Sequence, residues 1–133
     1  VLDAACGTGD LALADLRAGA GHVVGVDFAP RMLERARRKT AQIEWLEADM
    51  LMLPFPDASF DAAFSVTVLE ECDADRALAE MRRVLRPGGR MGVIVRSIDL
   101  PQWWSVPPPA GLAARPVGVR LGALFPVVAR QPE

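Results

Sequence analysis

No stretch of this chain restricts its fold as much as the first ten residues, Val1-Leu2-Asp3-Ala4-Ala5-Cys6-Gly7-Thr8-Gly9-Asp10. Two aliphatic residues lead into a carboxylate, a loop of small residues follows, and Leu11 to Leu16 then reads as helix. Strand, tight glycine turn and helix in this order bring backbone N–H groups and a helix N-terminus against a nucleotide-like ligand. Gly7 and Gly9 let the backbone approach a ligand where a Cβ would clash. A Gly-x-Gly alone fits an ordinary βα turn equally well, so the rest of the chain has to decide.

Residues 1–97 alternate strand and helix signals. Val1–Ala4 is the first expected strand, and Asp10 to about Ala18 the first helix, stopped by Gly19-Ala20-Gly21. His22–Asp27 is nearly continuous in apolar residues, as a strand covered on both faces should be. Pro30 suits the first turn of a second helix. Met32, Leu33 and Ala36 form its inward stripe, with Arg31, Glu34, Arg35, Arg37, Arg38 and Lys39 on a solvated face. Ile43–Ala48 predicts a third strand, and Phe60–Leu69 contains a fourth. Asp73 caps a third helix whose apolar positions Ala74, Leu78, Met81 and Leu85 recur at i, i+4, i+7 and i+11. Pro87-Gly88-Gly89 is expected to turn the chain before a fifth strand at Met91–Val95. The fold class is therefore α/β: a doubly wound, mainly parallel, Rossmann-like sheet in the order 3-2-1-4-5. Residues 1–97 form the ligand-binding domain and 98–133 a shortened tail. Within the tail, 121–130 offers one further strand that Pro126 confines to an edge or a bulge.

With 51% hydrophobic residues the chain can build a real core, and its formal net charge of −2 argues against a basic nucleic-acid footprint. Cys6 and Cys72 are too few for a disulfide framework or a zinc site and read as reduced thiols of a cytoplasmic protein. No apolar run reaches the roughly 18 residues of a membrane-spanning helix, and no feature fixes an oligomeric state. The sequence opens inside a strand without an initiator Met, so an N-terminally incomplete protein is expected.

Asp27 ends the second strand about 20 residues after the glycine turn, where a carboxylate can accept both hydroxyls of a ribose. Phe28 beside it either lies against a purine face or packs in the core. Asp49 ends the third strand, placed to accept from an exocyclic amine while the Met50 N–H donates to a ring nitrogen. Asp3, Asp27 and Asp49 thus close three successive strands on one sheet edge, where open α/β sheets bind ligands.

These residues resemble the class I S-adenosylmethionine-dependent methyltransferases. Val1 to Gly9 resembles their motif I, and Gly25-Val26-Asp27-Phe28-Ala29-Pro30-Arg31-Met32-Leu33 their strand-two segment. Glu47-Ala48-Asp49 through Phe60-Asp61 resembles the entry to strand four, and Leu85-Arg86-Pro87-Gly88-Gly89-Arg90 the turn before strand five. The closest flavour is the ubiquinone/menaquinone-biosynthesis-like branch acting on small molecules. The resemblance implies S-adenosylmethionine as cofactor. Ala5, Cys6, Gly7 and Gly9 would border its methionine part, and Asp3 would support that loop or the ammonium through water. Asp27 would hold the ribose, Asp49 the adenine amine, and Phe28 and Met50 the adenine faces, while the backbone from Ser65 to Val68 would border the methyl group. Ala5 stands where the strictest motif has glycine. The helix that the family normally carries ahead of strand one is missing, and the roughly 36 residues after strand five are short for the family's closing elements.

Methyl transfer needs alignment and a dry site, and a base only where the acceptor loses a proton. Glu70, Glu71 and Asp73 follow strand four at the active edge; Glu71 is the catalytic candidate, and helix capping is the competing role for Asp73. The sole histidine, His22, falls at the opposite end of the sheet. Cys72 lacks a histidine partner for nucleophilic chemistry. Trp103 and Trp104 either wall an aromatic or lipid-like acceptor or pack the tail on the sheet. Two other readings stay open. A non-catalytic, methyltransferase-like module would keep the cofactor site alone. A nicotinamide-dependent oxidoreductase fits Gly7-Thr8-Gly9-Asp10-Leu11-Ala12, although Asp3 would repel a pyrophosphate and the chain contains no tyrosine for a tyrosine-lysine pair.

Overall fold

A computed structural model describes residues 1–96 and 127–130. Its first five strands are β1 (Leu2–Ala4), β2 (Val24–Asp27), β3 (Glu44–Glu47), β4 (Phe60–Val66) and β5 (Leu85–Ile94). They are parallel and lie in the order β3-β2-β1-β4-β5, as expected. β6 (Val127–Arg130) extends the sheet antiparallel to β5, with Gly92 opposite Val128, so the tail strand takes the β5 edge.

The alternation of side chains along each strand builds two cores. Leu2, Ala4, Val24, Val26 and Ala63 point to the face covered by α3 (Ala74–Val84) and pack with Ala77, Met81 and Val84. Val23, Ile43 and Trp45 point to the other face and meet Ala12 of α1 (Asp10–Arg17) and Leu33 and Ala36 of α2 (Pro30–Lys39). Burying side chains of this size stabilises the fold by roughly 1.5–3 kcal/mol each, which is why both faces need a helix layer.

Three local expectations shift. Met32 does not belong to the inward stripe; it is exposed, and Leu33 and Ala36 alone carry that face of α2. On α3 the fully buried stripe is Ala77, Met81 and Val84, one position round from Ala74 and Leu78, which only flank the core. Pro87-Gly88-Gly89 does not precede the fifth strand but lies inside it. The register jumps from Phe60 opposite Leu85 to Ala62 opposite Arg90, so the extra residues bulge out. Gly88, at φ 76°, supplies the left-handed conformation that this bulge requires.

The basic run on α2 is the solvated face it was expected to be. Arg38 pairs with Glu34, Lys39 reaches Asp10 at 2.7 Å, and Arg37 donates to the Trp45 carbonyl at 3.2 Å.

Candidate functional site

The parallel strands end together, and the loops that follow β1, β2, β3 and β4 converge there. Asp27 ties two of these loops. Its Oδ2 accepts from the Gly7 N–H at 2.7 Å and its Oδ1 from the Ala29 N–H at 2.8 Å, although the residue is 93% shielded from water. The Cys6 N–H adds a bond to the Val26 carbonyl at 2.8 Å. The glycine loop is thereby held against the end of β2.

Within the loop the two glycines serve different ends. Gly7 has φ 53° and open space where a Cβ would stand. Gly9 has φ 77°, and its Cβ would lie 2.2 Å from Cη2 of Trp45. What approaches Gly9 is therefore a core indole, which corrects the expectation that both glycines make room for a ligand. Ala5 adopts φ 65°, a left-handed conformation at the position where the strict motif has glycine.

Asp3 sits behind the loop on the α1 face, 2% exposed, and accepts from the Ala12 N–H at 3.2 Å. Burial pushes its carboxyl up to about 7, opposed by the Ala12 bond. Burial likewise pushes the Cys6 thiol up to about 12, with Asp3 and Asp27 adding to the effect. Cys6 is thus a neutral core thiol packed with Trp45.

A cavity of about 340 Å³ opens beside the loop. Ala5, Asp27 and Phe28 line one side, Asp49, Met50 and Leu51 a second, and Val68, Glu71 and Cys72 a third. Phe28 is 73% exposed here, so it is not a core residue. Asp49 folds its own turn: Oδ1 accepts from the Leu51 N–H at 2.8 Å and its carbonyl from the Met52 N–H at 3.0 Å. Glu71 belongs to a 3-10 turn, Leu69–Glu71, that periodicity did not reveal. Arg96, just beyond β5, holds both acids of that turn, with Nε 2.9 Å from Glu70 and Nη2 2.5 Å from Glu71.

The remaining candidates fall outside this cavity. Ser65 is fully buried on β4, and its Oγ has no hydrogen-bond partner among the described residues. Asp73 caps α3, accepting from the Arg76 N–H at 3.1 Å. His22 lies before β2, at the far end of the strands, 3.4 Å from Glu44. Trp103 and Trp104 lie outside the described residues. Sequence reasoning did not single out Leu51 or Ala48, and Cys72 was considered only as a nucleophile; all three line the cavity. Their proximity to Asp49 and Glu71 along the chain is the signal that could have found them.

Known proteins carry the same arrangement. Residues 1–89 match the methyltransferase domain family. The chain is 47% identical over 117 residues to the demethylmenaquinone methyltransferase of Thermus thermophilus, covering 84% of this chain and 49% of that protein. It is 44% identical over 102 residues to the 2-phytyl-1,4-naphtoquinone methyltransferase of Nostoc punctiforme, covering 70% of this chain and 44% of that protein. Among solved structures, the S-adenosylmethionine dependent methyltransferase from Mesorhizobium loti superposes with a TM-score of 0.66 at 32% identity, covering 71% of this chain and 45% of that one. The chain therefore spans about half the length of the relatives it matches. With motif I, the 3-2-1-4-5 sheet and the family match coinciding over the same residues, this chain belongs to the methyltransferase domain family.

Proposed function

We propose that this chain binds S-adenosylmethionine at the C-terminal ends of β1 to β4 and serves methyl transfer to a small, quinone-like acceptor. The observation that carries this reading is the cavity walled by Asp27 and Asp49 with Phe28 uncovered at its mouth. A carboxylate offers about four lone-pair sites. Asp27 spends two on Gly7 and Ala29 and keeps the others for a ribose diol. Asp49 has only Oδ1 engaged, leaving Oδ2 for an exocyclic amine, with the Met50 N–H as donor to a ring nitrogen. Phe28 and Met50 cover the base from its two faces. The backbone of Ala5, Cys6 and Gly7 borders the methionine portion, Gly9 packs on Trp45 and Asp3 stands behind the loop, and the backbone from Ser65 to Val68 edges the transferred group.

When bound, that cofactor supplies a methyl group made electrophilic by its sulfonium. The carboxylates of Asp27 and Asp49 suit a ligand that carries a sulfonium and an ammonium, and they would repel a pyrophosphate. That difference favours this reading over a nicotinamide one. The quinone-like acceptor is supported by the names of the two relatives. Glu71 is the base for acceptors that must lose a proton; Arg96 engages only its Oε1, leaving Oε2 for that proton.

Residues 1–97 carry the cofactor and 98–133 the tail. Among the described residues no helix is long and apolar enough to cross a membrane. We place the protein in the cytoplasm, and its net charge of −2 disfavours a nucleic-acid partner.

The engagement of Glu71 by Arg96 favours one second reading, cofactor binding without turnover. Calorimetric titration with S-adenosylmethionine, S-adenosylhomocysteine and NAD tests the site, and S-adenosylhomocysteine production over a panel of demethylated naphthoquinols tests the reaction. Binding of NAD alone would sink the proposal. Binding of S-adenosylmethionine without product would select the second reading.

A further inference from the structure

One face of α3 spells Arg76, Glu80 and Arg83 at i, i+4 and i+7, and all three reach the loop between β3 and β4. Glu80 Oε2 accepts from the Leu53 N–H at 2.8 Å. Arg83 donates to the Leu53 carbonyl at 2.9 Å and to the Phe55 carbonyl at 2.8 Å. These two residues hold the part of the loop remote from the cavity. Arg76 is different: its Nε donates at 3.0 Å to the carbonyl of Leu51, which lines the cavity.

Arg76 lies in the first turn of α3, directly after the cavity-lining pair Glu71 and Cys72, and its own N–H is fixed by Asp73. Its side chain therefore bridges the two walls, one carrying Asp49, Met50 and Leu51, the other Glu71 and Cys72. The Leu51 N–H is already bound to Asp49. A pull on the Leu51 carbonyl is thus transmitted through one residue to the carboxylate that would read the base.

We propose that Arg76 is a positioning residue that fixes the width of the cavity and the pose of the Asp49 turn, and thereby sets selectivity for an adenine-like base carrying an exocyclic amine. This rests on the cofactor reading above. Arg76 touches no ligand in this scheme; it acts through Leu51 and Asp49.

The test compares the 133-residue chain with its Arg76→Ala and Arg76→Gln variants. Glutamine places an amide N–H donor the same number of bonds from Cα as the arginine Nε, without the charge, so it separates hydrogen bonding from electrostatics. Calorimetry gives Kd for S-adenosylhomocysteine and for its inosine analogue, which has an oxygen in place of the amine. Amide hydrogen exchange at Leu51 and Met52 gives a ligand-free readout. Arg76→Ala should weaken S-adenosylhomocysteine binding by roughly three- to tenfold, the effect of one lost hydrogen bond. It should weaken the inosine analogue less, and both amides should exchange faster. Arg76→Gln should hold the wild-type ratio and protection. A ratio unchanged in Arg76→Ala, or an equal loss for both nucleosides with a lowered Tm, would overturn the proposal. If the wild-type chain ignores S-adenosylhomocysteine, the cofactor reading has failed. Unchanged exchange in Arg76→Ala would then remove the strap as well.

Discussion

The Gly7 N–H donates to Asp27 Oδ2 at 2.7 Å, joining the glycine loop to the end of β2 across twenty residues of sequence. The carboxylate is therefore structural before any ligand arrives. Asp27→Ala should cost roughly 2–3 kcal/mol of stability, the range for losing charge-assisted hydrogen bonds in a shielded site. It should also abolish measurable S-adenosylhomocysteine binding at ordinary protein concentrations. Denaturant unfolding and calorimetry check the two effects separately, and a variant as stable as wild type would contradict the tether.

Gly7 and Gly9 should respond unequally to alanine. Gly9→Ala places a Cβ 2.2 Å from Trp45 in a left-handed conformation, and a loss of roughly 3 kcal/mol or more is expected. Gly7→Ala meets open space, so only the conformational cost of about 1 kcal/mol remains. Its larger effect should fall on cofactor affinity. Thermal melts of both variants decide it, and equal destabilisation would show that the loop relaxes away from the indole.

Asp3 gives the fold a pH dependence of a definite sign. Burial raises its carboxyl from 3.8 to about 7, so between those values the folded chain holds a proton that the unfolded chain has released. Its contribution to stability is therefore fully present below pH 3.8, falls as pH rises, and levels off above about 7. Asp3→Asn removes the titration. Across this window the unfolding free energy should fall less, or rise more, with increasing pH in the variant than in wild type. The slope is the readout, because the amide brings its own buried N–H donors and shifts the offset.

Arg83 spreads a single guanidinium over Leu53, Phe55, Asp57 and Glu80. Arg83→Ala should cost roughly 2–3 kcal/mol, since two backbone carbonyls lose their donor together. Arg83→Lys should recover little, because an ammonium cannot reproduce the planar fork that serves both carbonyls. Urea midpoints for the pair test this, and a lysine variant close to wild type would reduce the contact to simple charge.

Asp3 lies within β1, against α1 and outside the cavity lining, but Asp27 and Asp49 were legible because residue type, strand ending and spacing pointed to one sheet edge. So was the sheet order, which follows from alternating strands and helices with a glycine turn after the first. The bulge at Pro87-Gly88-Gly89 was not, since a turn signal in sequence does not say whether the chain leaves the sheet or buckles within it. In the stripe expected for α3, Met81 and Leu85 are buried, but Ala77 and Val84 were missed because they compete with Ala74 and Leu78 for the same hydrophobic weight, and only the opposing sheet decides between them. Trp45 beneath Gly9, and Arg76 on Leu51, join positions far apart in the chain through side-chain reach, which no local pattern encodes.

The ring of Trp45 lies where Cβ atoms of both Gly9 and Gly25 would stand, on two different elements. These three positions are consequently not independent in sequence drift. While the indole is present, 9 and 25 are closed to every larger side chain; a smaller residue at 45 would remove the closest obstacle to alanine at both, leaving Cys6 Sγ at 3.1 Å from the new Cβ at 25, and Ala36 at 3.2 Å together with the left-handed backbone at 9. A designer or a lineage changing this chain must therefore alter the tryptophan first, and the glycines only afterwards.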